Sequence, residues 1–170
     1  MTRVVKAISA TTLLSLLLAL TPASPVLADA AWGAAQIIDE HGDWATRPQV
    51  TIDGSNAVAI WSQSNNCVSN RSADGGATWE GAQTVSDGTA SYSSEPRLAM
   101  SGSNVVAVWY EVAGSARISA NHSTDGGATW GTPSVISGSG AISDCTHVAI
   151  SGNVVVATWG VSDSTDWLIY

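Results

Sequence analysis

The chain has 170 residues, a formal charge of −8, eight tryptophans, no phenylalanine and only 12% charged residues. A surface of this sign, with no basic stripe to release counterions, suits neither nucleic acid nor an anionic membrane as a partner. Scarce Glu, Lys and Arg against abundant Gly, Ser, Thr, Val and Ala argue against helix and for short strands separated by turns.

Residues 1–28 read as a secretory signal peptide. Arg3 and Lys6 precede an apolar run over 8–20, and Pro22, Pro25 and Val26-Leu27-Ala28 form a cleavage region. The run is shorter than the roughly 20 residues that cross a bilayer as a helix. The remaining chain, 29–170, is therefore expected to be secreted, with no membrane partner beyond the signal peptide. It keeps four arginines (Arg47, Arg71, Arg97, Arg117), no lysine and all fourteen carboxylates, a net charge of −10.

The elements then follow a repeat. A lone outer strand is predicted over 32–38. Pro48-Gln-Val-Thr-Ile-Asp-Gly-Ser-Asn-Ala-Val-Ala-Ile-Trp61 aligns without gaps on Pro96-Arg-Leu-Ala-Met-Ser-Gly-Ser-Asn-Val-Val-Ala-Val-Trp109, 48 residues later. A third copy, Thr146-His-Val-Ala-Ile-Ser-Gly-Asn-Val-Val-Val-Ala-Thr-Trp159, follows after a further 50. Each copy predicts two strands joined by a tight turn whose Gly and Asn supply positive φ. A second element recurs between the copies: Ser72-Ala-Asp74-Gly-Gly76-Ala-Thr78-Trp79 and Ser123-Thr-Asp125-Gly-Gly127-Ala-Thr129-Trp130, 51 residues apart. A further strand is predicted after each, over 79–85 and 130–136. Four strands in about 50 residues, repeated, mark a propeller blade. The expected fold is all-β, with antiparallel four-stranded blades at 47–86 and 95–137, a partial blade at 146–170, and an incomplete ring of about three blades.

The pattern Ser-x-Asp-x-Gly-x-Thr-Trp, present twice, resembles the Asp-box, or bacterial neuraminidase repeat, of the sialidase-like propeller superfamily. The resemblance implies a structural role for Ser72, Asp74, Gly76, Thr78 and Trp79 and for Ser123, Asp125, Gly127, Thr129 and Trp130, closing each blade on its periphery. In sialidases a Tyr nucleophile with its Glu, an acid/base Asp and three arginines that hold the substrate carboxylate act on a terminal sialic acid. The first arginine belongs to an Arg-Ile-Pro motif, whose place here is taken by Thr46, Ser94 or Asp144. The loop after Trp61 lacks the Arg and Asp the family places there. Tyr110 beside Glu111 invites a nucleophile-and-base reading, but adjacent strand residues point to opposite faces. A core aromatic and a solvated Glu are expected instead.

No metal or cofactor is expected, since no His, Cys and Asp spacing resembles a metal site. His122 is expected to be exposed, and the sequons at Asn70 and Asn121 coincide with the repeat. Cys67 and Cys145 lie toward one rim, and an oxidising exterior permits a disulfide between them, with two free thiols as the alternative. The same rim gathers Trp44, Arg47, Tyr92, Glu95, Glu111 and Asp144. Carboxylates beside exposed aromatics there suit a neutral sugar or a cationic partner. The expected function is a secreted, non-catalytic glycan- or protein-binding or scaffold module, the alternative being the N-terminal part of an exo-sialidase or related glycoside hydrolase. Three blades fall short of a usual ring, so the chain is read as part of a longer propeller or as one half of a homodimer that completes a ring.

Overall fold

The computed structural model describes residues 33–39, 43–138, 141–162 and 166–170, without the side chains of 141–145 and of Trp167. The signal-peptide reading lies outside them. The chain divides into two compact units, Met1–Ala35 and Gln36–Tyr170. In the first unit, 33–35 carry no regular secondary structure. The second unit holds eleven strands among the described residues and no helix, as composition predicts.

Three antiparallel sheets form in chain order. The first runs β1 (Thr46–Asp53), β2 (Asn56–Gln63), β3 (Asn66–Ser72) and β4 (Gln83–Thr84). The second runs β5 (Tyr92–Ser101), β6 (Asn104–Ala113), β7 (Ser115–Ser123) and β8 (Ser134–Val135). The third has three strands, β9 (Ala141–Ser151), β10 (Val154–Ser162) and β11 (Trp167–Ile169), with β10 central. The sheets are meanders, and among the described residues no ring is closed. β1 packs against β5 and β5 against β9, so the first strands lie side by side. Their hairpin tips are tied in series: Asp53 Oδ2 accepts from the Gly102 amide at 2.7 Å, and Ser101 Oγ from the Gly152 amide at 3.1 Å.

The fourth strands are much shorter than predicted, two residues each. The cause is a side chain that competes with the ladder. Asn70 Oδ1 accepts from the Gly81 amide at 3.0 Å, and in the second sheet Asn121 Nδ2 donates to the Gly131 carbonyl at 3.0 Å. The first strands are longer than predicted. Each continues through a bulge just before its proline, where Arg47 (φ 56°) and Glu95 (φ 57°) take the left-handed conformation.

The lone strand predicted over 32–38 is not formed: Trp32 lies outside the described residues and 33–38 join no ladder. The segment is nonetheless held by the repeat's own bonds. Asn70 Nδ2 donates to the Ile38 carbonyl at 3.0 Å as Asn121 Nδ2 does to the Val85 carbonyl at 2.9 Å. Gln36 Nε2 reaches the Ala77 carbonyl at 3.3 Å as Gln83 Nε2 reaches that of Ala128 at 2.9 Å. Residues 36–38 thus occupy, on the first sheet, the place that β4 occupies on the second. The two asparagines are buried in these bonds and are no acceptors for a glycan, while His122 is exposed.

The two Ser-Asp turns superpose bond for bond. Ser72 Oγ accepts from the Gly76 amide (2.8 Å) and donates to Asp74 Oδ1 (2.8 Å), and Ser123 does the same for Gly127 (2.9 Å) and Asp125 (2.7 Å). Thr78 gives its amide (2.8 Å) and hydroxyl (2.6 Å) to Asp74, and Thr129 likewise to Asp125 (2.9 and 2.6 Å). Donors converging on a carboxylate favour its charged form. The Thr78 hydroxyl above all holds Asp74, and the Ser123 hydroxyl Asp125, at about 2 instead of the ordinary 3.8. A folded-state value below the unfolded one adds stability that is complete above the ordinary value and lost as pH falls through the folded value. The stability gap between wild type and Asp74→Asn/Asp125→Asn is therefore expected to be full at pH 5 and to close toward about pH 2. Thermal melts across that range check it, and a gap independent of pH refutes the charge assignment.

The core lies between the first two sheets, where Ile60, Cys67 and Val85 meet Ala107 and Trp109, with Leu98 and Trp130 packed against them. Trp130 Nε1 crosses to Ser69 Oγ at 2.9 Å. Cys67 is a free thiol there, and burial pushes its ionisation up. Of the two states the sequence permits for Cys67, bridged to Cys145 or free, it is in the free one. Cys67 faces the second sheet, whereas Cys145 belongs to β9 of the third, its side chain lying outside the described residues.

Candidate functional site

A cleft of about 370 Å³ opens on the rim between the first and second sheets. It is lined by the segment before β1 (Asp43, Trp44), the start of β1 (Thr46, Arg47), the end of β2 and its turn (Ser62, Gln63, Ser64, Asn65) and the start of β5 (Tyr92, Ser93, Ser94). The turn is of the two-residue kind that requires positive φ at both central positions. Ser64 (φ 50°) and Asn65 (φ 64°) supply it. This aims the Asn65 carbonyl at the Ser93 amide, 2.9 Å away, and so ties the two walls together.

Arg47 is the organising side chain. Its Nε meets Glu95 Oε1 at 2.5 Å, and its Nη1 donates to Ser94 Oγ at 2.6 Å and to Tyr92 OH at 3.1 Å. Glu95 Oε2 also lies 3.8 Å from Arg97 Nη2. The two residues that pair, Arg47 and Glu95, are the two in left-handed conformation, each immediately before a proline that disfavours the helical region. Such positions cost on the order of 1–3 kcal/mol each and gather at functional sites. Tyr92 is steadied by an edge-to-face contact with Tyr110, ring centroids 6.4 Å apart. Ser64 Oγ donates to Asp43 Oδ2 at 2.5 Å.

Two features of the cleft point outward. Trp44 is 89% exposed. Ser62 is buried, lines the cleft and leaves its Oγ without a hydrogen-bond partner. An indole face, a ring of neutral hydroxyl and amide groups and an arginine already neutralised by its carboxylate can stack on and hydrogen-bond a polar, uncharged molecule.

Of the predicted rim residues, the structure brings Trp44, Arg47, Tyr92 and Glu95 together. It places Glu111 elsewhere, and the side chain of Asp144 lies outside the described residues. The expected solvated Glu111 is 2% exposed. Its Oε1 accepts from Arg117 Nε at 2.6 Å and from Ser119 Oγ at 2.8 Å, and its Oε2 from Trp109 Nε1 at 2.8 Å. The reason is register: Arg117 stands directly across the ladder from Glu111 and supplies a counter-charge that makes burial tolerable. Tyr110 lies on the other face, so the adjacent pair is not a nucleophile with its base. The arginines are likewise dispersed, with Arg71 on Glu80, Arg117 on Glu111, and Arg47 and Arg97 on Glu95. Sequence reasoning missed the cleft's share from Ser62, Gln63, Ser64, Asn65 and Ser94. Ser64-Asn65 between two alternating strands was the available signal, since Asn tolerates positive φ.

No family model matches the chain, and no curated protein does. Among solved structures, a mutant of the NanB sialidase from Streptococcus pneumoniae is similar, with a TM-score of 0.51 and 22% identity. The match covers 72% of this chain but only 20% of that one. Three meandering antiparallel sheets, set side by side on their first strands and superposable on part of a sialidase, are a stretch of sialidase-like propeller.

Proposed function

We propose that the chain is a secreted sialidase-like propeller module that binds a neutral sugar of an extracellular glycan at the rim cleft without cleaving it. The observation that carries this reading is the exposed Trp44 at a cleft lined by neutral polar groups, one of them the unpartnered Ser62 hydroxyl. Stacking on an indole and hydrogen bonding to hydroxyls are how proteins hold pyranose rings, and neither needs a charge on the ligand. Arg47, committed to Glu95, offers little to the carboxylate of a sialic acid. The Ser-Asp turns read as Asp-boxes that stiffen the rim's support, and the leader over 1–28 carries the reading of secretion.

Titration of intrinsic tryptophan fluorescence with hits from a glycan array tests the proposal. Trp44→Ala is expected to weaken a hit at least about tenfold, or roughly 1.4 kcal/mol, with unfolding unchanged. An array without hits, or an affinity indifferent to Trp44, removes the glycan reading. Turnover of a fluorogenic sialoside would instead favour the hydrolase alternative.

A further inference from the structure

Along β2 the two-residue period of a strand puts Val58, Ile60 and Ser62 on one face. A Cβ on Gly127 would stand 2.8 Å from Val58 Cγ2, and Ile60 meets Ala107 and Trp109, so this face looks onto the second sheet. Ser62 is the next residue outward on it and lines the cleft. The corresponding face of β6 carries Val106, Val108 and Tyr110. The repeat thus sets a serine in the first sheet where the second has a tyrosine, while the third has Gly160, which offers neither ring nor hydroxyl. Register is the same in the first two sheets: Ser62 stands between Thr46 and Cys67, and Tyr110 between Ser94 and Ile118.

Trp44 and Tyr92 are likewise one position of the repeat. In the second sheet the Tyr92 ring rests edge to face against that of Tyr110. In the first, Ser62 offers Trp44 no ring to meet. What it offers is a hydroxyl: Ser62 is 7% exposed, and its Oγ has no hydrogen-bond partner. A buried hydroxyl in that condition costs free energy that a bond to an incoming group returns. The hollow above it lies between two consecutive sheets, tied to each other by the Asn65 carbonyl and the Ser93 amide, so the packing of those two sheets fixes its floor.

We propose that Ser62 is the specificity-determining residue of the cleft. Standing where the second sheet carries Tyr110, it clears room for one ring beside Trp44, and its Oγ exchanges a hydrogen bond with a hydroxyl on the edge of that ring. The inference rests on the sugar reading above and narrows it to a single neutral pyranose unit. A pyranose meets both demands, with an aliphatic face for the indole and hydroxyls around its whole edge, whereas a phenol such as the Tyr110 side chain carries one hydroxyl only. A cleft of about 370 Å³ lies near the small end of the roughly 300–1,000 Å³ of small-molecule sites, the size for one ring and not for a chain of them.

Isothermal titration calorimetry with the methyl pyranosides of glucose, galactose and mannose tests it on the wild type, Ser62→Tyr, Ser62→Ala and Trp44→Ala. Ser62→Tyr restores the side chain that the second sheet carries, and it is expected to weaken the bound pyranoside at least about tenfold by filling its place. Ser62→Ala keeps the room and removes the hydroxyl. It is expected to weaken the same pyranoside about three- to tenfold while melting no lower than the wild type, because it deletes a hydrogen bond to the ligand and none within the protein. A purely structural serine would not separate binding from stability in this way, and this variant carries the test if Ser62→Tyr does not fold. A pyranoside whose binding is lost in Trp44→Ala but kept in both Ser62 variants overturns this inference and leaves the sugar reading standing. A wild type that binds none of the three overturns both. Tighter binding of p-cresol than of every pyranoside assigns the hollow to an aromatic group and also overturns the proposal.

Discussion

Arg117→Ala is expected to cost about 3 kcal/mol of stability, a loss measurable as a fall in the urea midpoint. Glu111 is buried near the end of β6 and retains a hydroxyl and an indole N–H when Arg117 is gone, but no positive charge. Breaking a buried pair leaves an uncompensated ion and typically costs about 3–5 kcal/mol. The low end applies because the Arg117 side chain is 27% exposed and water can follow its removal. The first sheet supplies a control. At the equivalent position Gln63 accepts from Trp61 Nε1 at 3.0 Å, and its neighbour across the ladder is Asn66. Carrying that neutral pair over as Glu111→Gln/Arg117→Asn is expected to stay within about 1.5 kcal/mol of wild type, since exchanging both partners strands no charge. If the double variant is as damaged as Arg117→Ala, the cost lies in lost packing and not in the charge.

Gly127→Ala is expected to cost about 2–5 kcal/mol, and Gly76→Ala only about 1–2. Both glycines stand at nearly the same positive φ, 89° and 91°, so the backbone penalty for a Cβ is shared. The difference is the neighbour. At Gly127 the new methyl meets Val58 at 2.8 Å inside a packed interface, whereas at Gly76 it enters open space. Val58→Ala should recover part of the loss in Gly127→Ala and none in Gly76→Ala, a coupling that a double-mutant cycle reads directly. Equal costs for the two glycines would mean that the second turn does not bear on the first sheet.

The hairpins Pro48 to Trp61 and Pro96 to Trp109 were legible because strand alternation and a Gly-Asn turn are local and the two copies align without a gap. The fourth strands were read too long because Asn70 and Asn121 look like ordinary strand residues until their side chains are seen bonded to the facing strand and its neighbour. The starts of β1 and β5 were read too late, since a proline normally ends pairing and nothing local announces a bulge that carries the ladder past it.

The candidate site divides in the same way. Trp44, Arg47, Tyr92 and Glu95 could be placed on the rim from the blade map, because loop position follows from strand order. Glu111 could not. Opposite facing of Tyr110 and Glu111 follows from the two-residue period of a strand, but whether the Glu face meets water depends on register with Arg117 and on the neighbouring sheet.

Sequence alone determined the repeat, its strands and turns and the two Ser-Asp turns, because each rests on contacts within a few residues or on periodicity. The tertiary structure decided which copies of the same apolar face are covered and which are bare. Val58, Val106 and Val156 are one residue type at one place in the repeat, and they differ only in the sheet that follows each of them. Burial is a property of neighbours, which a repeat pattern cannot count.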